Sequence, residues 1–187
     1  SCNTTSRNNT EEKTKVVFEP RDKEILEEIL ELFADDKDIP TSELIIKVGT
    51  FFKETPYVAS TLEFEPEQLV INLRELDCTT FAENCLAISR TIKSGKGTFE
   101  QFTKELQNIR YRDGVIDGYL SRIHYFSDWI NNNIEKMVIR DIAKEIGIAR
   151  YAKEVDFMSM HPESYKQLAE NPKLIPTTSA SILVAID

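Results

Sequence analysis

A cysteine placed at the start of a helix is the position in this chain with the most evident chemistry. The stretch Leu76-Asp77-Cys78-Thr79-Thr80-Phe81 passes from an extended run into an amphipathic pattern, which puts Cys78 in a first helical turn. There the unpaired N–H groups and the positive end of the helix dipole favour thiolate over thiol, and the thiolate is the nucleophile. Phe81, Cys85 and Ile88, with Leu86 and Ile92 beside them, give the helix an apolar face that anchors Cys78 against a core. A second reading fits the same residue, because most lone cysteines are small, buried and apolar. Position alone leaves the two level.

A cysteine nucleophile needs a base nearby, usually histidine, and a third group that orients the base. The chain has two histidines, His124 and His161. His124 stands one helical turn before Asp128, which suits either a base held by a carboxylate or a surface ring hydrogen-bonded to one. Nothing in the spacing turns that ring toward Cys78. His161, ahead of Pro162, reads as a cap or loop residue. Asp77 reads as the helix cap, or as a carboxylate facing a cleft to hold a substrate amine or hydroxyl. Arg110-Tyr111-Arg112 and Arg122 bring cations and an aromatic ring near helix ends, where solvated positions and contacts to peptide carboxylates are both open. No Cys-x-x-Cys or His-Glu-x-x-His spacing is present, so neither a metal site nor a cofactor is expected.

The chain of 187 residues carries a net charge of −9, with a pI near 4.9 and a mean hydropathy of −0.35. Such a balance argues against nucleic-acid binding and against attraction to anionic lipid. Three cysteines, an odd number, argue against a disulfide framework. Cys78 and Cys85 lie roughly 10 Å apart along a helix, too far to bridge. Ser1 to about Lys15 is polar and without periodicity, and is expected to be a disordered tether (1–15) ahead of one domain (16–187). Ser1-Cys2 followed by a hydrophilic linker looks like the junction left by bacterial lipoprotein processing, with the lipid on Cys2 as the one link to a membrane. A free cysteine in a tail is the competing reading.

The elements that must position Cys78 follow from the apolar spacing. Helices are expected over Pro20–Asp35 and Ser42–Lys53. Alternation over Val58–Phe64 and Gln68–Leu73, around Glu65-Pro66-Glu67, predicts a hairpin feeding the Cys78 helix. That helix ends at Ser94-Gly95-Lys96-Gly97, and Thr98 opens another with Gln101 at capping-box spacing. Tyr119, Ile123, Phe126 and Ile130 predict a further helix carrying His124, Tyr125, Asp128 and Trp129 on its other sides. The pattern from Met137 to Gly147 fits helix or strand. Asp156–Met160 reads as a short strand, and His161-Pro162-Glu163 opens a short helix ending near Leu168. Ile182–Asp187 reads as a buried strand, for which the sequence shows no partner.

Leu76-Asp77-Cys78-Thr79-Thr80-Phe81-Ala82-Glu83 resembles the Asp-Cys-small-small-aromatic signature of the NlpC-type, papain-like cysteine peptidases. Ile109–Gly114, Arg122–Trp129 and Phe157–Pro162 narrow the resemblance to the N-acetylmuramoyl-L-alanine amidase-like branch. The resemblance implies an α+β fold in which the Cys78 helix packs on an antiparallel sheet. It also implies hydrolysis of the amide between the muramyl lactyl group and L-alanine in peptidoglycan fragments, on the periplasmic side of a cell envelope. Cys78 would attack the carbonyl, Asp77 would shape the pocket, and Tyr111, Arg122 and Tyr125 would line the cleft. In that family the catalytic histidine follows on a sheet strand, after a Gly-Asp turn and before a glycine-rich stretch. No such segment occurs here, so the chain is expected to be truncated, its sheet incomplete and its activity lost unless His124 serves as base. A non-catalytic peptidoglycan-binding or scaffold lipoprotein is the alternative.

Overall fold

Proline at the first position and a reciprocal cap start α1 (Pro20–Leu32): the Glu19 N–H donates to Asp22 Oδ2 at 2.8 Å. The computed structural model describes residues 15–142, 149–177 and 180–186. Ile25, Leu26, Ile29 and Leu30 recur at helical spacing and form the buried face of α1. A 3₁₀ segment, Ala34–Asp38, leads to α2 (Thr41–Phe51), which buries Leu44 and Val48. α3 (Cys78–Lys93) runs through the middle of the core, packed against α1, α2 and α4 (Phe99–Arg110). Thr98 caps α4 by accepting from the Gln101 N–H at 3.1 Å. Ile29, Leu44, Ile88, Phe102, Leu106 and Ile109 are wholly enclosed between these four helices.

Three expected elements form differently. Val58–Phe64 is not a strand, because Ser60 takes a positive φ of 62° that interrupts an extended run. Its would-be partner is engaged elsewhere: β2 (Leu69–Val70) pairs in parallel with β1 (Val16–Val17), not in an antiparallel hairpin. The His124 region is not helical either. Arg122 pairs with Tyr111 in an antiparallel bridge, the Ile123 N–H donates to the Arg110 carbonyl at 3.0 Å, and α5 starts only at Phe126 (Phe126–Glu135). The extended backbone there lets the Arg122 guanidinium reach Glu63 and Glu67, which a helix face would not do. Asp156–Met160 closes i to i+4 bonds, with the Met160 N–H on the Asp156 carbonyl, so Phe157–Met160 is a helical turn, α6.

The antiparallel pairing in the described residues joins β3 (Ala149–Val155) to β4 (Ala180–Ile186), with Ala152 opposite Leu183. The closing apolar run therefore has a partner strand, contrary to the expectation from sequence. α7 (Lys166–Glu170) lies between them in the chain. β4 packs against α5, whereas α3 rests mainly on helices, so the antiparallel sheet expected beneath Cys78 is replaced there by helix packing. The fold is α+β, predominantly helical, with a small parallel pair. Among the described residues no helix is long and apolar enough to cross a membrane. Cys2, with the segment up to residue 14, lies outside the described residues, as does 143–148.

One buried carboxylate ties α1 to the approach to Cys78. Asp22 is fully buried, and its Oδ1 accepts from the Leu73 N–H at 2.8 Å and from Arg74 Nε at 3.1 Å. Removing it strands three donors, the N–H groups of Glu19 and Leu73 and Arg74 Nε, and frees the 72–77 segment. We expect Asp22→Ala to cost about 3 kcal/mol of unfolding free energy, read from denaturant midpoints. Leu32→Ala on the exposed side of the same helix should change those midpoints by less than about 1 kcal/mol.

Candidate active site

The chain reaches Cys78 along a segment held at every step. β2 is paired to β1, Leu73 is tied to Asp22, and Asn72 Oδ1 accepts from the N–H groups of Arg74 and Glu75 at 3.0 and 3.1 Å. Leu76 then bridges in parallel to Tyr57, its N–H on the Pro56 carbonyl at 3.0 Å. Asp77 closes the approach as N-cap: its Oδ1 accepts from the Thr80 N–H at 2.8 Å, while Thr80 Oγ1 accepts from the Asp77 N–H at 2.8 Å. This satisfies the third N–H of α3, and the Phe81 N–H reaches the Asp77 carbonyl. Among the described residues, no backbone partner is recorded for the N–H groups of Cys78 and Thr79, the first two of the helix.

Cys78 is exposed and free, whereas Cys85, two turns on, is buried. The reading of Cys78 as a small buried residue therefore fails; it describes Cys85 instead. Burial pushes the Cys85 thiol up to about 12, which leaves it almost wholly protonated at neutral pH.

The other expected site residues form a tight polar cluster. Tyr111 is 1% exposed, and its hydroxyl lies 2.8 Å from Glu67 Oε1 and 2.9 Å from the Gln68 carbonyl. Burial, then the neighbouring Glu67 carboxylate, holds the phenol well above its ordinary range. Arg122 is also buried; Nη2 donates to Glu63 Oε1 at 3.0 Å, and Nε pairs with Glu67 Oε1 at 3.1 Å without hydrogen-bond alignment. Burial raises the Glu67 carboxyl against the lowering pull of Arg122. Tyr125 is partly buried and accepts the Met158 N–H on its hydroxyl at 2.7 Å, joining α6 to the start of α5.

His124 belongs to this cluster and not, through any recorded bond, to Cys78. Its Nε2 lies 2.9 Å from the Tyr119 carbonyl, which makes Nε2 the protonated nitrogen of the neutral ring. The ring packs on Tyr119 with centroids 4.2 Å apart. Burial, reinforced by the Arg122 charge, lowers its pKa to about 4. Asp128, expected as its partner, pairs with Arg112. His161 lies exposed, near Glu163 at 3.4 Å and against the Phe157 ring. Among the described residues, no hydrogen bond joins Cys78 to either histidine.

Sequence reasoning missed the charges that brace the cluster. Glu83 of α3 and Arg110 of α4 form a buried ion pair at 2.7 Å, side chains 2% and 1% exposed. Arg110 Nη1 also donates to the Val70 carbonyl of β2. Glu83 follows the Asp-Cys signature directly and Arg110 ends the stripe of α4, but amphipathic spacing assigns both to a polar face and gives no sign of burial. Lys136 closes the same region: it donates to the Asn108 and Tyr111 carbonyls, and burial lowers its pKa to about 8. A separate cleft of about 1050 Å³, lined by Lys23, Glu27, Ile92 and Phe99 among others, opens at the other end of α3. Along the helix it lies about 21 Å from Cys78. No group of three His, Cys, Asp or Glu side chains among the described residues is placed to hold a metal ion.

One family model matches most of the chain. The AmiA-like family, described as N-acetylmuramoyl-L-alanine amidase-like, matches residues 47–181. A solved N-acetylmuramoyl-L-alanine amidase from Bacteroides uniformis ATCC 8492 is 42% identical with a TM-score of 0.69, over 73% of this chain and 57% of that one. A Bacteroides fragilis structure provisionally named a xylanase is 42% identical with a TM-score of 0.66, over 70% of this chain and 57% of that one. Protein LPG0564 of Legionella pneumophila str. Philadelphia 1, of family DUF1460, shares the fold at 19% identity, with a TM-score of 0.66 over 86% of this chain and 62% of that one. No curated protein matches. The chain thus spans 57% of the length of the solved amidase it resembles. With the signature covering 47–181 and Cys78 inside it, the chain belongs to the AmiA-like, N-acetylmuramoyl-L-alanine amidase-like family.

Proposed function

We propose that this chain is the nucleophile-bearing part of a cysteine amidase that cleaves the N-acetylmuramoyl-L-alanine amide of peptidoglycan fragments. The observation that carries the reading is an exposed thiol at the first position of a capped helix, in a chain of an amidase-like family. Cys78 Sγ attacks the amide carbonyl to form a thioester as the amine leaves, and water then hydrolyses the thioester. The open N–H groups of Cys78 and Thr79 would donate to the oxyanion as it develops. Asp77 fixes that geometry through Thr80, so it acts on the reaction by positioning. The Asp-Cys junction is what supports membership of the NlpC-type, papain-like branch; the helical surroundings of α3 do not add to it.

Among the described residues neither histidine stands as the base. His124 is neutral, bonded to a backbone carbonyl, and has a pKa near 4 that makes it a weak proton acceptor. His161 pairs with Glu163 on another surface. On this reading the polypeptide binds muropeptide and presents the nucleophile but turns over slowly or not at all. Tyr111 and Arg122, both buried against Glu67, then serve the site by holding the packing around it, and Tyr125 is the member of the set with exposed surface. The same reading assigns the protein to the periplasmic side of the envelope, with Cys2 as the lipid-bearing residue. The engagement of both histidines elsewhere equally favours a non-catalytic peptidoglycan-binding scaffold.

Alkylation tests the exposed thiol, and turnover separates the readings. With iodoacetamide at neutral pH, Cys78 should label faster than Cys85 by on the order of a thousandfold, read site by site by mass spectrometry. Muramyl dipeptide should protect Cys78, and the same peptide without the sugar should not. Equal, slow labelling would leave only the scaffold. Robust cleavage of muramyl dipeptide that is lost in Cys78→Ala would place the base within this chain and overturn the account of His124.

The buried neutral ring also sets a pH dependence. Its folded pKa of about 4 lies below the ordinary 6.5, so the unfolded chain takes up the proton first as pH falls. The stability His124 contributes is whole above pH 6.5 and is lost progressively toward pH 4. We expect His124→Asn to flatten the stability curve over that window by about one bound proton, measured by urea unfolding at stepped pH.

A further inference from the structure

Phe81 stands out because it is 39% exposed although its helix face leads directly into the core. Cys78, Phe81 and Cys85 follow one another at spacings of three and four, so they form one stripe on α3 that passes from exposed thiol to buried thiol. The stripe faces α2 at Gly49. A Cβ built on Gly49 would lie 3.2 Å from Phe81 Cζ and 3.8 Å from Cys85 Sγ. Gly49 sits inside α2, where glycine is the least favourable residue after proline, and its φ is not in the left-handed region. Its use there is spatial: the missing side chain leaves the seat on which the Phe81 ring rests. The ring is thereby held on one side, with its other edge open to solvent one turn from the nucleophile.

We propose that Phe81, seated on Gly49, is a specificity-determining residue that forms an apolar wall beside the Cys78 sulfur and selects acyl groups carrying a small non-polar substituent next to the scissile carbonyl. This rests on Cys78 being the nucleophile of the amidase reading. An alkyl group bound to the carbon next to the carbonyl loses water against the ring when the carbonyl reaches Sγ, and a charged or strongly hydrated group at that position does not gain the same contact. The wall acts on the acyl side, whereas the open N–H groups act on the oxygen.

The test reads the thiol and needs no turnover. Rates of Cys78 alkylation by N-phenylmaleimide and by iodoacetamide are measured at one pH, and their ratio is divided by that of glutathione. The normalised ratio should exceed unity in the parent chain, fall about fivefold in Phe81→Ala, and be kept in Phe81→Leu. Phe81→Gln, polar and of similar length, gives the same reading if the alanine variant does not fold, with circular dichroism reporting the fold. A parent ratio equal to that of glutathione, or one unchanged in Phe81→Ala or Phe81→Gln, overturns the proposal. Failure of muramyl dipeptide to protect Cys78, with the reagent preference intact, would sink the amidase reading and leave the apolar wall standing.

Discussion

The Asp22 carboxylate holds the Leu73 N–H and the Arg74 guanidinium from inside the core, and the position of Cys78 depends on that grip. Residues 71–77 form neither helix nor strand, so their backbone groups lack the ladder that would otherwise fix them. The carboxylate from α1, the Asn72 side chain and the Tyr57 bridge supply the missing bonds one after another. Only with that path fixed does Asp77 arrive where it can cap α3, and only then does Cys78 begin the helix with its first N–H groups unshielded.

A second layer of buried charge fixes how α3, α4 and β2 sit against one another. Glu83–Arg110 joins α3, α4 and β2, while Glu67 and Glu63 draw Arg122 and Tyr111 together. Buried ion pairs are weak contributors to net stability once desolvation is counted, and breaking one by removing a single partner is costly. Their value here is geometric. A core made only of Leu and Ile could slide α4 along α3 by a fraction of a turn, but the Arg110 fork meets a carboxylate and a carbonyl in one arrangement only.

How far the sequence disclosed this follows from the range of the interactions involved. Asp77, Thr80 and Cys78 are local neighbours, so spacing alone marked the helix start and offered Asp77 as its cap, while leaving open whether Cys78 is exposed or buried. Thr98 and Gln101 were legible for the same reason. The fate of His124 was not, because it is decided by Arg122 reaching carboxylates about 60 residues away in sequence. Alternation suggested strands where the polar alternates are ion-pair partners. The parallel pairing of Val16–Val17 with Leu69–Val70 is too short to leave a periodic mark. Asp22 was hidden in plain view, since an acidic residue in a first helical turn ordinarily reads as nothing more than dipole compensation.

The separation of the two thiols on α3 decides what an oxidant does to Cys78. Cys85 is buried, protonated and about 10 Å along the helix from Cys78, so it cannot act as a resolving partner. A sulfenic acid formed on Cys78 would find no neighbour on its own helix to condense with. It would be captured by a small-molecule thiol, which is reversible, or oxidised onward to sulfinic acid, which is not. Reductive repair from outside would therefore govern how long the sulfur stays usable.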